Sequence, residues 1–166
     1  MKNSDDRTLE EAYRSAVSGL YARLKSNYDF IYRKYGDDGL KLIADMSREY
    51  GSSLVPRAMK KIKNNDIRSV ALYILRIFDT ISRHKSHLIE LVEVSNNRAV
   101  IKAGYCPLNF TKPDLCLAHT TMEKTLVEGL NPEFRYRIGK SIPKGDPYCE
   151  HIIELKPSAG NSGPGK

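Results

Sequence analysis

The chain of 166 residues has no tryptophan, only three cysteines and no long apolar run. A membrane-spanning helix needs ~18 or more consecutive apolar residues, so we expect no membrane partner. The N-terminal residues Met1-Lys2-Asn3-Ser4 do not begin an apolar stretch, and we therefore expect no secretory signal. These absences predict a cytoplasmic protein.

Three cysteines are too few for a disulfide framework, and an odd number cannot pair completely. In a reducing compartment such residues are reduced thiols, metal ligands or nucleophiles. All three lie between residues 105 and 154, together with two of the four histidines. This clustering indicates that the chemistry of the protein is concentrated between Tyr105 and Glu154.

Acidic residues are outnumbered, with 20 Asp and Glu against 27 Lys and Arg, which gives a net charge of +7. The excess is spread along predicted helices and forms no dense basic block of the kind that binds nucleic acid. We therefore expect a small-molecule substrate and no nucleic acid as partner, while the sequence leaves a homo-oligomer open. Apolar residues at 40% and charged residues at 28% are ordinary for a globular protein that buries a core.

The N-terminal half, residues 1–84, predicts a helical bundle. Apolar residues from Leu9 to Tyr28 recur at steps of three and four, as on one face of a helix. Gly36 is expected to break this helix, and Asp37-Asp38 to open a second helix that ends at Gly51. A third helix is expected from Ser52-Ser53, and a fourth over residues 67–81.

The C-terminal half, residues 85–156, predicts a β-β-α-β-β module. A β-branched hairpin precedes a helix that begins at Pro113 and ends near Gly129, and two more strands follow. The fold class is therefore α+β, with an antiparallel sheet and one packed helix. Residues 157–166 are rich in Gly and Ser and predict a flexible tail.

The last predicted strand carries a cysteine and a histidine on one face. Because side chains alternate along a strand, Cys149, His151, Ile153 and Leu155 are expected to face the interior together. On the preceding helix, Cys116, His119 and Glu123 are spaced to share one stripe. Cys106 ends the second strand. The elements can therefore bring three thiols, two imidazoles and a carboxylate to one place.

Three chemistries fit this constellation, and the residues alone leave them open. Cys149 or Cys116 could be a nucleophile, with His151 or His119 as base and Asp146 or Glu123 orienting it. A position in the first helical turn would favour a thiolate at Cys116. The three thiols could instead bind Zn²⁺ or iron. They could also be buried simply as small apolar groups.

The residues Cys106-Pro107, Cys116 and Gly145-Asp146-x-x-Cys149 resemble the C-terminal module of two related families. One is the L-2-amino-thiazoline-4-carboxylic acid hydrolase family, and the other is the 4-vinyl reductase domain. The helical half, with Tyr35-Gly36-Asp37-Asp38 and Glu49-Tyr50-Gly51, is similar to the hydrolase family. The resemblance covers residues 30–156. Two positions depart from it: Ser141 or Lys140 stands where the 4-vinyl reductase pattern has a further cysteine, and His151 where Phe is typical.

The resemblance implies a small-molecule hydrolase that opens a cyclic C–N bond. It assigns catalysis to Cys149, His151, His119 and Asp146, and substrate binding to Cys106, Cys116 and Glu123. The expected cofactor is none or is left open, with Zn or Fe at Cys106, Cys116 and Cys149 as the metal alternative. The alternative function is a non-enzymatic small-molecule- or metal-binding sensor domain of the 4-vinyl reductase type.

Overall fold

The computed structural model describes residues 8–157, except for the side chains of residues 83, 84 and 86. The α+β class and the β-β-α-β-β order of the C-terminal half are confirmed. The elements are α1 (Leu9–Met59), α2 (Ile67–Ile81), β1 (Ile89–Val94), β2 (Arg98–Ala103), α3 (Pro113–Leu130), β3 (Phe134–Ile138) and β4 (Cys149–Leu155), with short 3-10 turns at Arg83–Leu88 and Ile142–Lys144. Of the predicted tail, residues 158–166 lie outside the described residues.

Helix α1 is a hairpin of two arms, residues 9–35 and residues 37–59. It begins with a capping box in which Thr8 and Glu11 satisfy each other's backbone amides. Gly36 has φ of +56°, a left-handed conformation that breaks the helix as predicted. A Cβ on Gly39 would lie 2.7 Å from the carbonyl oxygen of Ile31, although eight residues of continuous helix would span about 12 Å. The second arm therefore folds back on the first.

The prediction that Gly51 ends a helix is wrong, as is the separate helix expected from Ser52. The second arm runs through both positions to Met59, and Pro56 lies inside it. Gly51 is buried because its arm crosses α3 closely: a Cβ there would lie 2.5 Å from the carbonyl oxygen of Met122. This glycine serves close packing between helices, and the helix does not end there.

Gly129 behaves in the same way and does not end α3 as predicted. It lies inside the helix, and its missing side chain makes room for Val55 of the second arm, whose nearest carbon would be 2.7 Å from an added Cβ. The C-cap is Asn131. The contact between α1 and α3 is therefore built around two glycines, one contributed by each helix.

The four strands form one antiparallel sheet in the order β1-β2-β4-β3. Because β4 is central, it pairs on both sides, with His151 opposite Ile101 of β2 and Ile138 of β3. The inner face packs against α2 and α3, with fully buried Ile74, Leu126 and Ile153. Leu155 is the exception to the predicted inward face, since it is the last residue of β4 and remains 38% exposed.

The outer face of the sheet carries an ion-pair cluster centred on Glu154. The carboxylate accepts hydrogen bonds at 2.7 Å from Nε of Arg135 and from Nε of Arg137. Arg98 lies 3.7 Å from the same carboxylate. The hydrogen bond from Arg137 holds the pKa of Glu154 below its usual range. Two arginines that could have bound a substrate carboxylate are thus engaged on the face opposite the core.

No helix in residues 8–157 has both the length and the apolar character that crossing a membrane requires.

The close crossing at Gly51 predicts a large cost for a single methyl group. We expect Gly51→Ala to lower the free energy of unfolding by about 1–3 kcal/mol, because the added carbon would collide with backbone that cannot move independently. Urea denaturation monitored by circular dichroism measures this difference.

Gly19→Ala is the matched control for this substitution. Gly19 lies within the first arm, and a Cβ there would meet nothing within 4 Å. Alanine should therefore stabilise the helix by up to about 1 kcal/mol through its higher helix propensity. Equal effects of the two substitutions would show that the α1–α3 crossing is not closely packed.

Candidate functional site: a cavity between the helices and the sheet

A cavity of about 280 Å³ lies between the arms of α1, helices α2 and α3, and the inner face of the sheet. Each layer contributes to its wall, for example Tyr21 from the first arm, Phe78 from α2, Leu126 from α3 and Ala103 from β2. The wall is mostly aliphatic and aromatic. The fold therefore forms a partly open cavity suited to an apolar guest.

The cavity brings together six of the seven predicted site residues. Cys106, Cys116, His119, Glu123, Cys149 and His151 all line it. Asp146 does not line it, and its Oδ2 accepts a hydrogen bond of 2.7 Å from the backbone amide of Ser141. This bond closes the turn before β4, where Gly145 has φ of +97°. In this structure Asp146 holds a turn.

His151 is fixed by a tyrosine that the sequence did not single out. Its Nδ1 lies 2.5 Å from Oη of the buried Tyr136, and its ring meets the ring of Phe78 at 4.6 Å. Burial raises the pKa of Tyr136 well above its usual range, so the phenol keeps its proton. The phenol therefore donates to Nδ1, and the proton of the neutral ring is on Nε2.

His119 has a similar partner on the other side of the cavity. Its Nδ1 lies 3.3 Å from Oη of Tyr28, and its ring packs 5.8 Å from that of Phe110. Burial lowers the pKa of His119 to about 4 and that of His151 to about 4. Both imidazoles are therefore uncharged at neutral pH.

Glu123 is the acidic group of the cavity wall. Its side chain is 7% exposed, and Oε2 is buried with no hydrogen-bond partner among the described residues. Burial raises the pKa of this carboxyl to about 7. A buried acceptor left without a partner costs about 1–3 kcal/mol. The structure therefore retains an unsatisfied polar group beside an apolar space.

The thiols of Cys116 and Cys149 are held in their protonated form by burial. Burial raises the pKa of Cys116 to about 12, so the thiolate expected from its place in the first helical turn is wrong. Burial also raises the pKa of Cys149, whose Sγ accepts a 3.3 Å hydrogen bond from the amide of Ile142. Because the thiolate is the nucleophilic form, neither group is activated in this arrangement.

The donor set does not fit the expected metal. Within residues 8–157, no group of three or more His, Cys, Asp or Glu side chains is placed to hold an ion. Ser141 or Lys140 stands where the 4-vinyl reductase pattern has a further cysteine, and of the two Ser141 is buried. Neither side chain replaces the missing thiol as a soft metal ligand.

The sequence did not identify Tyr136 as the hydrogen-bond partner of His151, nor α2 as a wall of the cavity. Tyr136 lies in β3, and its contact with His151 depends on the pairing of β3 with β4. Phe78 lies in α2, and its contact with the same ring depends on how that helix packs on the sheet. Neither residue has a local sequence signal for its role.

Comparison with known proteins gives likenesses in fold. No family model and no curated protein matches the chain. A solved structure of trafficking protein particle complex subunit 3 from Naegleria fowleri, covalently bound to palmitic acid, has a TM-score of 0.62 at 15% identity, covering 87% of this chain and 97% of that one. The phenol-responsive sensory domain of the transcription activator PoxR, solved with phenol, has a TM-score of 0.55 at 12% identity, covering 81% and 74%.

The raised pKa of Glu123 predicts a pH-dependent cost to stability. The carboxyl has a pKa of about 7 when folded and about 4.5 otherwise, so the folded state binds the extra proton between these values. Stability from this group is complete below pH 4.5 and is lost as the pH rises through 7. The free energy of unfolding of Glu123→Gln relative to the wild type should therefore increase over this range, by up to about 3 kcal/mol.

Urea unfolding of both proteins at several pH values between 4.5 and 8 measures this difference. Glu128→Gln, on the same helix but outside the cavity wall, is the control and should show no such trend. A difference between Glu123→Gln and wild type that stays constant with pH would contradict a buried, uncompensated carboxyl.

Proposed function

We propose that the protein is a ligand-binding module of the sensory type that holds a small aromatic molecule in its apolar cavity. The observation that supports it most is the cavity itself, about 280 Å³ and mostly apolar, with two imidazoles and one carboxyl in its wall. Binding sites for small molecules have this composition, an apolar enclosure with a few polar groups that orient the guest.

The volume favours a compact ring over a long chain. An apolar cavity of about 150 Å³ holds benzene, which corresponds to roughly 25 Å³ for each carbon. The volume of about 280 Å³ then admits a ligand of roughly eleven heavy atoms. Phenol, present in the solved PoxR sensory domain, is within this limit. The alkyl chain of palmitic acid, present in the trafficking subunit, needs more room.

Binding is better supported than hydrolysis of the thiazoline type. A carboxylate-bearing substrate needs a cationic partner, and no Lys or Arg is among the described residues that line the cavity. Arg135 and Arg137 are paired with Glu154 on the outer face. The thiols of Cys116 and Cys149 are held in their protonated form. Hydrolysis stays a prediction from sequence resemblance.

Occupancy of the cavity can be communicated through α1. Tyr21 of the first arm and Tyr50 of the second arm both line the cavity, and Tyr50 is 58% exposed at its outer side. A ligand in contact with both arms stabilises the hairpin in its packed position relative to α3. Such coupling between a buried ligand and an exposed helix surface suits a sensor.

We expect isothermal titration calorimetry to detect binding of phenol and toluene, and not of palmitate. Ala103→Leu fills the cavity from β2 and should abolish binding, and Thr120→Leu should do so from α3, because both residues line the wall. Ala22→Leu makes the same change as the first variant at an exposed position of α1 and should leave affinity unchanged.

Two results would overturn the proposal. One is unchanged affinity in both filled variants, provided that circular dichroism shows them folded. The other is turnover of 2-amino-thiazoline-4-carboxylate that Cys149→Ser abolishes, since this would establish the hydrolase and leave binding as a step in catalysis.

A further inference from the structure

We propose that the cavity selects aromatic ligands that carry a protonated amine, with the carboxylate of Glu123 as the partner of that amine. This inference rests on the proposed binding function and specifies its ligand class. It follows from the charge of the cavity wall, from the unsatisfied oxygen of Glu123 and from the aromatic rings around it.

The cavity wall has one acidic side chain and no cationic one. Glu123 is the one Asp or Glu among the described lining residues, and none of them is Lys or Arg. His119 and His151 do not supply a positive charge, since burial keeps both imidazoles neutral. An ionised Glu123 thus gives the wall a charge of −1, which is complementary to a monocation.

The carboxylate also needs a hydrogen-bond donor. Oε2 of Glu123 is buried and has no partner among residues 8–157. Folding has already removed this group from water, so the ligand does not bear the cost of desolvating it. A bound ammonium would make a charge-assisted hydrogen bond, which is roughly twice as strong as a neutral one. The site is therefore preorganised for a cationic donor.

Aromatic rings in the wall suit the same ligand. Tyr21, Tyr105 and Phe110 line the cavity and can contact either a ring or a cation through their faces. A benzoate of similar size would place its carboxylate near Glu123, and the two like charges would repel. Among aromatic ligands of nearly the same shape, the cavity should therefore bind the cation more tightly than the anion.

The pH response of binding should report Glu123. The other titratable groups around the cavity are Tyr21 and Tyr50 of α1, Tyr105 and Cys106 before α3, Cys116 and His119 of α3, and Cys149 and His151 of β4, with Tyr28 and Tyr136 behind the histidines and Lys85 over the ring of Tyr105. The described lining residues of α2, β1 and β2 are not titratable. Glu123 is the group that burial brings to a pKa of about 7.

The test compares benzylamine with benzyl alcohol, which has the same ring and nearly the same size. By calorimetry at pH 8, benzylamine should bind at least about tenfold more tightly, as for a hydrogen bond to a charged group. Its affinity should fall below the pKa of Glu123, by up to about tenfold for each pH unit. The affinity of benzyl alcohol should not follow this trend.

Glu123→Gln should remove the preference and its pH dependence while benzyl alcohol still binds. Glu128→Gln should keep both. Binding of benzyl alcohol with no preference for benzylamine would overturn the amine selectivity and leave the proposed function standing. Failure of benzylamine, benzyl alcohol, phenol and toluene alike to bind the folded protein would overturn both.

Discussion

The removal of His119, Glu123 and His151 from water is the constraint on which the character of this protein depends. Burial keeps the imidazoles neutral, favours the protonated carboxyl up to near-neutral pH and keeps the thiols of Cys116 and Cys149 protonated. In an exposed cleft the same residues would form a hydrated acid–base site. Set among apolar walls, they become a small number of hydrogen-bonding groups in the wall of a cavity large enough for a guest.

The enclosure depends on how closely the helices approach one another. The second arm of α1 crosses α3 where Gly51 meets the backbone at Met122 and where Gly129 accommodates Val55. On the opposite side, the central position of β4 places Cys149 and His151 under α2 and α3. A side chain at either glycine would separate the layers. The properties of the cavity therefore depend on the packing of the helices.

Much of the fold could be predicted from local patterns, but the roles of the glycines could not. The break at Gly36 could be predicted because this glycine follows an apolar stripe and precedes two acidic residues. Gly51 also follows an apolar stripe and precedes two possible capping residues, yet it lies inside a helix because it packs against Met122 of α3, seventy-one residues away. A glycine that ends a helix and one that allows helices to cross have no local difference.

The sequence predicted which residues share the site better than it predicted their chemical state. Strand alternation and helical spacing identified six residues that do share one cavity. The thiolate at Cys116 was wrong because the effect of a helix N-terminus is smaller than that of burial, which depends on all the layers above it. Tyr136 and Phe78 escaped notice since their contacts with His151 follow from strand order and helix packing.

The most direct measurement is the position of a heavy-atom-labelled ring in a crystal. Crystals soaked in 4-bromophenol should show an anomalous bromine peak inside the cavity, between Phe78, Glu123 and His151. A peak found only on the protein surface, or none at a saturating concentration, would contradict the account that this fold encloses a binding site for a small aromatic molecule.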